Sequence, residues 1–182
     1  MVDENGLRIG AALQAVLQMQ ADSVKLLRDL DRGLQGYKSL FGNYVTSGIG
    51  SSINTQAFLA DGMFRHYSVD GKWGRSLAAT ICFFDLKRPE RLPEPVFVAA
   101  NLDYIDPSPD PNEKQKRAWD AWYAYVEWAP DRKFNEIIVL ENPEQRESLT
   151  RVEFVAAPLY SITNLDVATS LIDRLSKTTM PT

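Results

Sequence analysis

The chain predicts an α+β fold, with a long N-terminal amphipathic helix followed by a mainly antiparallel sheet of about five strands and two packing helices. Three observations carry this expectation. Apolar residues recur at spacings of three and four from Leu7 to Leu34. The apolar runs 77–85 and 95–104 are joined by a loop too short for a parallel crossover. Helix-start signals beginning at Asp110, Asn142 and Thr163 separate the later elements.

In the first helix Leu13, Val16, Leu17, Val24, Leu27, Leu30 and Leu34 share a face that Ile9 continues, while Gln14, Gln18, Asp22, Lys25, Asp29 and Arg32 lie opposite. Gly33 and Gly36 mark its end. A run of about 28 residues is about 42 Å long at 1.5 Å per residue, longer than a small domain is wide, so the helix is expected to overhang. Gln20 and Asp31 sit within the apolar face, where polar residues often fix register or oligomer state. The seam Leu13, Leu17, Gln20, Val24, Leu27, Asp31 and Leu34 is therefore read as an interface with a second copy or a protein partner. The alternative is that the helix lies across its own sheet.

Three regions follow from this pattern: the helix over 1–40, a Gly- and Ser-rich connector over 41–62, and an α+β domain over 63–178. Within the connector, Asn54 is expected to cap a short helix ending at Asp61-Gly62. The stretch Ser47 to Ser52 carries glycines but lacks the lysine a phosphate-binding loop requires. Met63 to Val69 reads as a strand, and Asp70-Gly71 as the turn of a hairpin. The runs 77–85 and 95–104 are central strands, being apolar on both faces. Asp110, Pro111 and Glu113 occupy N-cap, N1 and N3 of a helix that carries the aromatic residues and ends before Pro130. Strand 135–141, a turn opened by Asn142, strand 151–159 and a final helix opened by Thr163-Asn164 complete the order, the last placing Val167, Leu171, Ile172 and Leu175 on one side.

Composition narrows the function classes. With 182 residues, 45% hydrophobic and 24% charged, the chain has the apolar content of a folded domain. A net charge of −4 argues against nonspecific binding to nucleic acid or anionic membranes. A single cysteine and an N-terminus without a basic, apolar leader lead to the expectation of a cytoplasmic protein. No run approaches the 18 apolar residues of a membrane span, so no membrane partner is expected.

Candidates for chemistry are few. One His and one Cys exclude a zinc site, and neither metal nor cofactor is expected. His66 is a candidate general base, although a lone histidine in a strand is more often structural. Cys82 lies mid-strand without a neighbouring charge and reads as a small hydrophobe. Asp103, Asp106, Asp110 and Glu113, with Asp85, form an acidic string; turn and cap roles account for Asp106 and Asp110, leaving Asp85 and Asp103 for Mg²⁺-dependent phosphoryl transfer or nuclease chemistry. The order of a helix, three antiparallel strands, a helix and a strand resembles restriction-endonuclease-like nucleases. Their signature also needs an acid-x-Lys on the third strand, and Asn101-Leu102-Asp103 has no lysine after it.

Lys87, Arg88 and Arg91 are the residues through which nucleic acid would be held, and Lys114, Lys116 and Arg117 precede the aromatic helix. Helical spacing gathers Trp119, Trp122, Tyr123 and Val126 into a core stripe, with Asp120 and Glu127 on another side. Glu113 and Arg117 form an i, i+4 pair. Trp128 falls opposite the stripe and marks a contact surface if exposed. The leading expectation is a non-enzymatic, regulatory or protein-binding chain that self-associates or docks a partner through its first helix. The alternatives are the Mg²⁺-dependent enzyme using Asp85 and Asp103, and a small-ligand sensor with an apolar cavity above the sheet.

Overall fold

The computed structural model describes residues 4–47, 59–85, 87–143 and 146–178. In chain order the elements are α1 (Glu4–Gly33), β1 (Lys38–Ser39), β2 (Thr46–Ser47), β3 (Gly62–Ser68), β4 (Arg75–Cys82), β5 (Val96–Tyr104), α2 (Pro111–Arg117), α3 (Asp120–Tyr123) continuing as a π turn (Ala124–Trp128), β6 (Ile137–Glu141), β7 (Leu149–Pro158) and α4 (Leu165–Thr178). The class is α+β, as the sequence predicts.

Every strand pairing is antiparallel, in the order β1-β3-β4-β5-β7-β6. The sheet is six strands wide rather than five. The reason is local: residues 38–39, within the region read as helix, and 46–47, within the connector, contribute the two-residue pieces β1 and β2, both paired to the outer edge of β3. The expected short helix from Asn54, and Gly48 to Ser52, lie outside the described residues.

Strand alternation sends successive side chains to opposite faces, and both faces are covered. Phe64, Ala78, Val98, Leu102 and Phe154 pack under the α2–α3 segment. Leu77, Ile81, Phe97, Ala99 and Val155 pack under α1 and α4. These side chains are fully or almost fully buried, so each face of the sheet carries a packed apolar layer.

The β3–β4 hairpin turns at Asp70-Gly71, where Gly71 takes a φ of +80° and Asp70 Oδ1 accepts the Lys72 N–H at 2.9 Å. The strands part at Ser68 and resume at Arg75, a longer loop that lets Trp73 turn into the core. Asp110 caps α2 by accepting the Glu113 N–H at 2.9 Å. In α4 the cap is Asn164, whose Oδ1 accepts from Val167 N at 3.0 Å. Glu144 and Gln145, in the turn opened by Asn142, are outside the described residues.

α1 is divided by its surroundings. Its C-terminal half buries Leu27, Leu30 and the following Leu34 in the core beneath α4. Tyr67 on β3 donates its hydroxyl to the Leu27 carbonyl at 3.1 Å, and Arg65 on β3 forms a two-pronged ion pair with Asp31. The N-terminal half runs on past this anchor, with Leu7, Ile9, Leu13 and Leu17 57–63% exposed.

Candidate functional site

Two surfaces stand out, the free half of α1 and a cleft along the aromatic segment. The segment is not the continuous α-helix its spacing predicts. It breaks at Ala118-Trp119, and the Ala118 carbonyl meets His66 Nε2 at 3.3 Å. After Tyr123 it widens into a π turn, closed by the Ala129 N–H donating to the Ala124 carbonyl at 3.1 Å, with Pro130 stopping further helix. A π turn brings residues five apart into line. Trp128 therefore stacks on Tyr123, with centroids 5.9 Å apart and an interplanar angle of 18°, instead of falling on the opposite side.

Trp119, Tyr123 and Trp128 are consequently only partly buried and line an open cleft of about 730 Å³ with Asp120, Glu127 and Arg146. Trp122, Ala121 and Val126 face the core. The expected core stripe is thus split: Trp122 and Val126 are buried, while Trp119 and Tyr123 contribute to a surface.

Asp120, expected on an outer side, is fully buried. Its Oδ1 accepts from Arg146 Nε at 2.9 Å and its Oδ2 from the Tyr104 hydroxyl at 2.9 Å. Burial raises the Asp120 pKa above the ordinary carboxylate value despite the attraction of Arg146. The same surroundings push the Tyr104 phenol well up, through burial first and the Asp120 charge second. Arg117, also buried, lies over the Tyr104 ring at 4.1 Å, donates to the Asp106 carbonyl at 2.7 Å and meets Glu113 at 3.4 Å. Glu113 also accepts from Ser148 at 2.8 Å and lies 3.0 Å from Arg146. The i, i+4 pair read from the sequence is one edge of this buried network.

Beside the open cleft, and sharing Trp119, Tyr123 and Glu127 with it, is a smaller cavity of about 170 Å³ lined also by Asp61, Phe84, Asp85, Lys87, Arg88 and Trp122. Asp85 is 6% exposed; its Oδ1 accepts the Lys87 and Arg88 N–H groups at 3.0 and 3.2 Å. Its Oδ2 has no hydrogen-bond partner, and neither have the buried Asp61 Oδ1 and Trp122 Nε1. Burial, reinforced by the Asp85 charge, pushes the Asp61 carboxyl above its ordinary pKa. Arg88 bridges Asp85, at 3.6 Å, and Glu127.

The register keeps Asp85 and Asp103 apart. Asp103 is opposite Arg75 at one end of the β4–β5 pair, with which it forms a 3.5 Å ion pair; Asp85 lies beyond Cys82 at the other end. Seven residues of strand separate the two ends, about 23 Å at 3.3 Å per residue, so these carboxylates do not share one ion. No group of three or more His, Cys, Asp or Glu suited to a metal occurs among the described residues.

Of the expected nucleic-acid cations, Arg88 is engaged by two carboxylates, Lys87 is exposed, and the Arg91 carbonyl accepts from Arg132. Cys82 is fully buried, and burial drives its thiol pKa upward, away from the reactive thiolate. Of the expected helix interface, Leu27 and Leu34 are consumed by the chain's own core and Asp31 by Arg65; Gln20 and Val24 are half-buried, and Leu13 and Leu17 remain exposed. No protein-family model matches the chain, and no curated protein or solved structure does either. Among the described residues, no helix is long and apolar enough to cross a membrane.

His66 is fully buried between Phe41 and Trp73, and desolvation holds its pKa down at about 4, only partly opposed by the Ala118 carbonyl. The unfolded imidazole titrates near 6.5, so between these values the unfolded chain binds the extra proton. His66 therefore leaves stability intact above about pH 6.5 and lowers it as pH falls toward 4, by about 2 to 3 kcal/mol at pH 4.5. Urea unfolding at pH 7.5 and 4.5 checks this. The loss between the two pH values is expected to shrink by roughly that amount in His66→Gln; an equal loss in both proteins would show that the imidazole is already charged or solvated.

Proposed function

We propose that the protein is a non-enzymatic, self-associating module in which two copies join through the N-terminal half of α1. The observation that carries this reading is the exposure of Leu7, Ile9, Leu13 and Leu17 on a helix whose apolar pattern continues directly into the buried Leu27, Leu30 and Leu34. A soluble monomer would not keep an apolar stripe on a projecting helix, because each such side chain gains about 1.5–3 kcal/mol on full burial.

A second copy is the occupant favoured by the chemistry of the stripe. Among the described residues of the projecting half the charged side chains are Glu4 and Arg8, which pair with each other at 2.7 Å, so the stripe itself carries no charge that selects a differently charged partner. An isologous pairing needs only the same stripe twice. A groove of about 660 Å³ between α1 and the start of α4, lined by Met19, Leu26, Ile162 and Leu165, opens beside the root of the projection and adds apolar surface for the second helix. The remaining candidate chemistry supports the non-enzymatic reading, since His66 is buried and neutral and Asp85 and Asp103 lie at opposite ends of the sheet.

Cross-linking provides the test. With Cys82 buried, a cysteine at Leu13→Cys or Leu17→Cys is the accessible thiol, and a short bis-maleimide is expected to join two chains. Tyr160→Cys, at a position 79% exposed on another surface, is expected to stay monomeric. Equal, low yields at all three positions would overturn the proposal.

A further inference from the structure

The small cavity between the aromatic segment and the β4 end has a composition that selects a ligand, and it is independent of the α1 surface. Three aromatic rings line it at steep mutual angles: Trp119 and Trp122 at 81°, Trp122 and Tyr123 at 89°, Trp119 and Tyr123 at 45°. Trp122 thus meets the other two rings edge to face, and the three line the cavity as an aromatic corner instead of a flat stack. Three carboxylates, Asp61, Asp85 and Glu127, share the lining.

The charge there is incompletely answered. Arg88 is the cation that Asp85 and Glu127 already hold. Among the described residues no cation pairs with Asp61, whose buried Oδ1 has no hydrogen-bond partner, while the Asp85 Oδ2 is met by Arg88 Nε at 3.6 Å, an ion pair too long for a hydrogen bond. Buried carboxylate oxygens without donors are costly, and aromatic faces attract a cation placed over them. The lining sets three carboxylates against two cations, Arg88 and the exposed Lys87, so the excess charge is negative and favours a cationic ligand over an anionic one; a neutral apolar one would leave the open Asp61 acceptor unanswered.

We infer that this cavity binds the ammonium head group of a small organic cation, held beside the Trp119, Trp122 and Tyr123 rings and neutralised by Asp61. At about 170 Å³ the space suits a head group of a few heavy atoms, below the usual 300–1,000 Å³ of drug-sized sites. The rest of the ligand leaves past Trp119, Tyr123 and Glu127 into the adjoining cleft of about 730 Å³, whose Trp128–Tyr123 stack offers an apolar wall. A cation beside Asp61 would also offset, by its charge, the burial and Asp85 repulsion that disfavour the ionised carboxylate.

The shared chemistry is a positively charged nitrogen, supplied by either a methylated or a primary amine, and the probes separate the two sources. Full-length protein is titrated with tetramethylammonium chloride and with n-butylamine hydrochloride at constant ionic strength, followed by tryptophan fluorescence. At least one is expected to give a saturable change; tetramethylammonium binding tighter assigns a methylated head, butylamine a primary one. Asp61→Asn, at a partly exposed site, is expected to weaken binding about tenfold, and Trp119→Leu to weaken it further while unfolding midpoints confirm that both variants are folded. The inference is overturned if neither cation gives a saturable change, if neopentyl alcohol, uncharged and of similar size, binds as well, or if folded Asp61→Asn binds with unchanged affinity.

Discussion

Replacing Arg146 by alanine is expected to lower the stability of the fold by about 3–5 kcal/mol, the cost of leaving a buried ion without its partner. In a chain of this length that is a fall of roughly 6–20 °C in the unfolding midpoint. The cause is Asp120, fully buried and held by Arg146 Nε at 2.9 Å; without it only the Tyr104 hydroxyl remains as a side-chain donor. Arg146→Lys is expected to recover only part of the loss, because an ammonium cannot span Asp120 and Glu113 as the planar fork does. The deficit should also depend on pH. Removing Arg146 raises the folded-state pKa of Asp120 further above its unfolded value, so the variant binds a proton on folding and its deficit grows as pH rises through that pKa. Thermal unfolding at pH 5 and pH 8 measures this, with the larger deficit expected at pH 8. A deficit under 1 kcal/mol at both values would mean that the network is solvated.

Asp31→Ala is the second large effect, expected at about 2–3 kcal/mol. Arg65 is 1% exposed, so losing its carboxylate leaves a guanidinium inside the protein with the Tyr44 carbonyl as its remaining hydrogen-bond acceptor and the Tyr67 ring 5.9 Å away. The figure is below that for Arg146 because Asp31 itself is 37% exposed and its charge is partly screened. Arg65→Met removes the buried charge and is expected to be nearly neutral; in that background Asp31→Ala should cost under about 0.5 kcal/mol, since surface substitutions away from a buried partner rarely cost more. A double-mutant cycle by urea unfolding gives the coupling. If Asp31 instead fixed the register between copies, its removal would change the association state and leave monomer stability untouched.

The two networks show where the sequence was readable. Local signals held up: the amphipathic run of α1, the Asp110 cap and the two central strands all depend on neighbours within a few residues, so spacing alone exposes them. Spacing alone puts Asp31 in a seam and Asp120 on an outer face, because their partners, Arg65 and Arg146, lie 34 and 26 positions away. A buried charge looks like a surface charge until its counter-ion is located. The available signal is a charged residue on an otherwise apolar strand face, as at Arg65 between Met63 and Tyr67.

The aromatic cleft was hidden for a different reason. Period-3.6 reasoning assumes a continuous α-helix, and the break at Ala118-Trp119 followed by a π turn rotates every later residue. Trp128 thereby moves onto Tyr123, and Glu127 comes to face Arg88. Asp61 joins the cavity through the antiparallel pairing that sets the start of β3 opposite the end of β4, a consequence of register that composition does not carry. The same register separates Asp85 from Asp103, which sequence order places in one acidic string.

The anchoring contacts give the projecting helix its meaning. The Arg65–Asp31 pair and the Tyr67–Leu27 hydrogen bond fix the C-terminal half of α1 to β3, so the apolar N-terminal half is held away from the sheet. Sedimentation equilibrium of the full-length chain tests the proposed pairing most directly, over a range of concentrations and beside the double variant Leu13→Glu/Leu17→Glu. Concentration-dependent dimer formation by the unaltered chain, with a folded and monomeric variant, is the predicted result. A monomer for both at every concentration, or a dimer that survives the two glutamates, would contradict it.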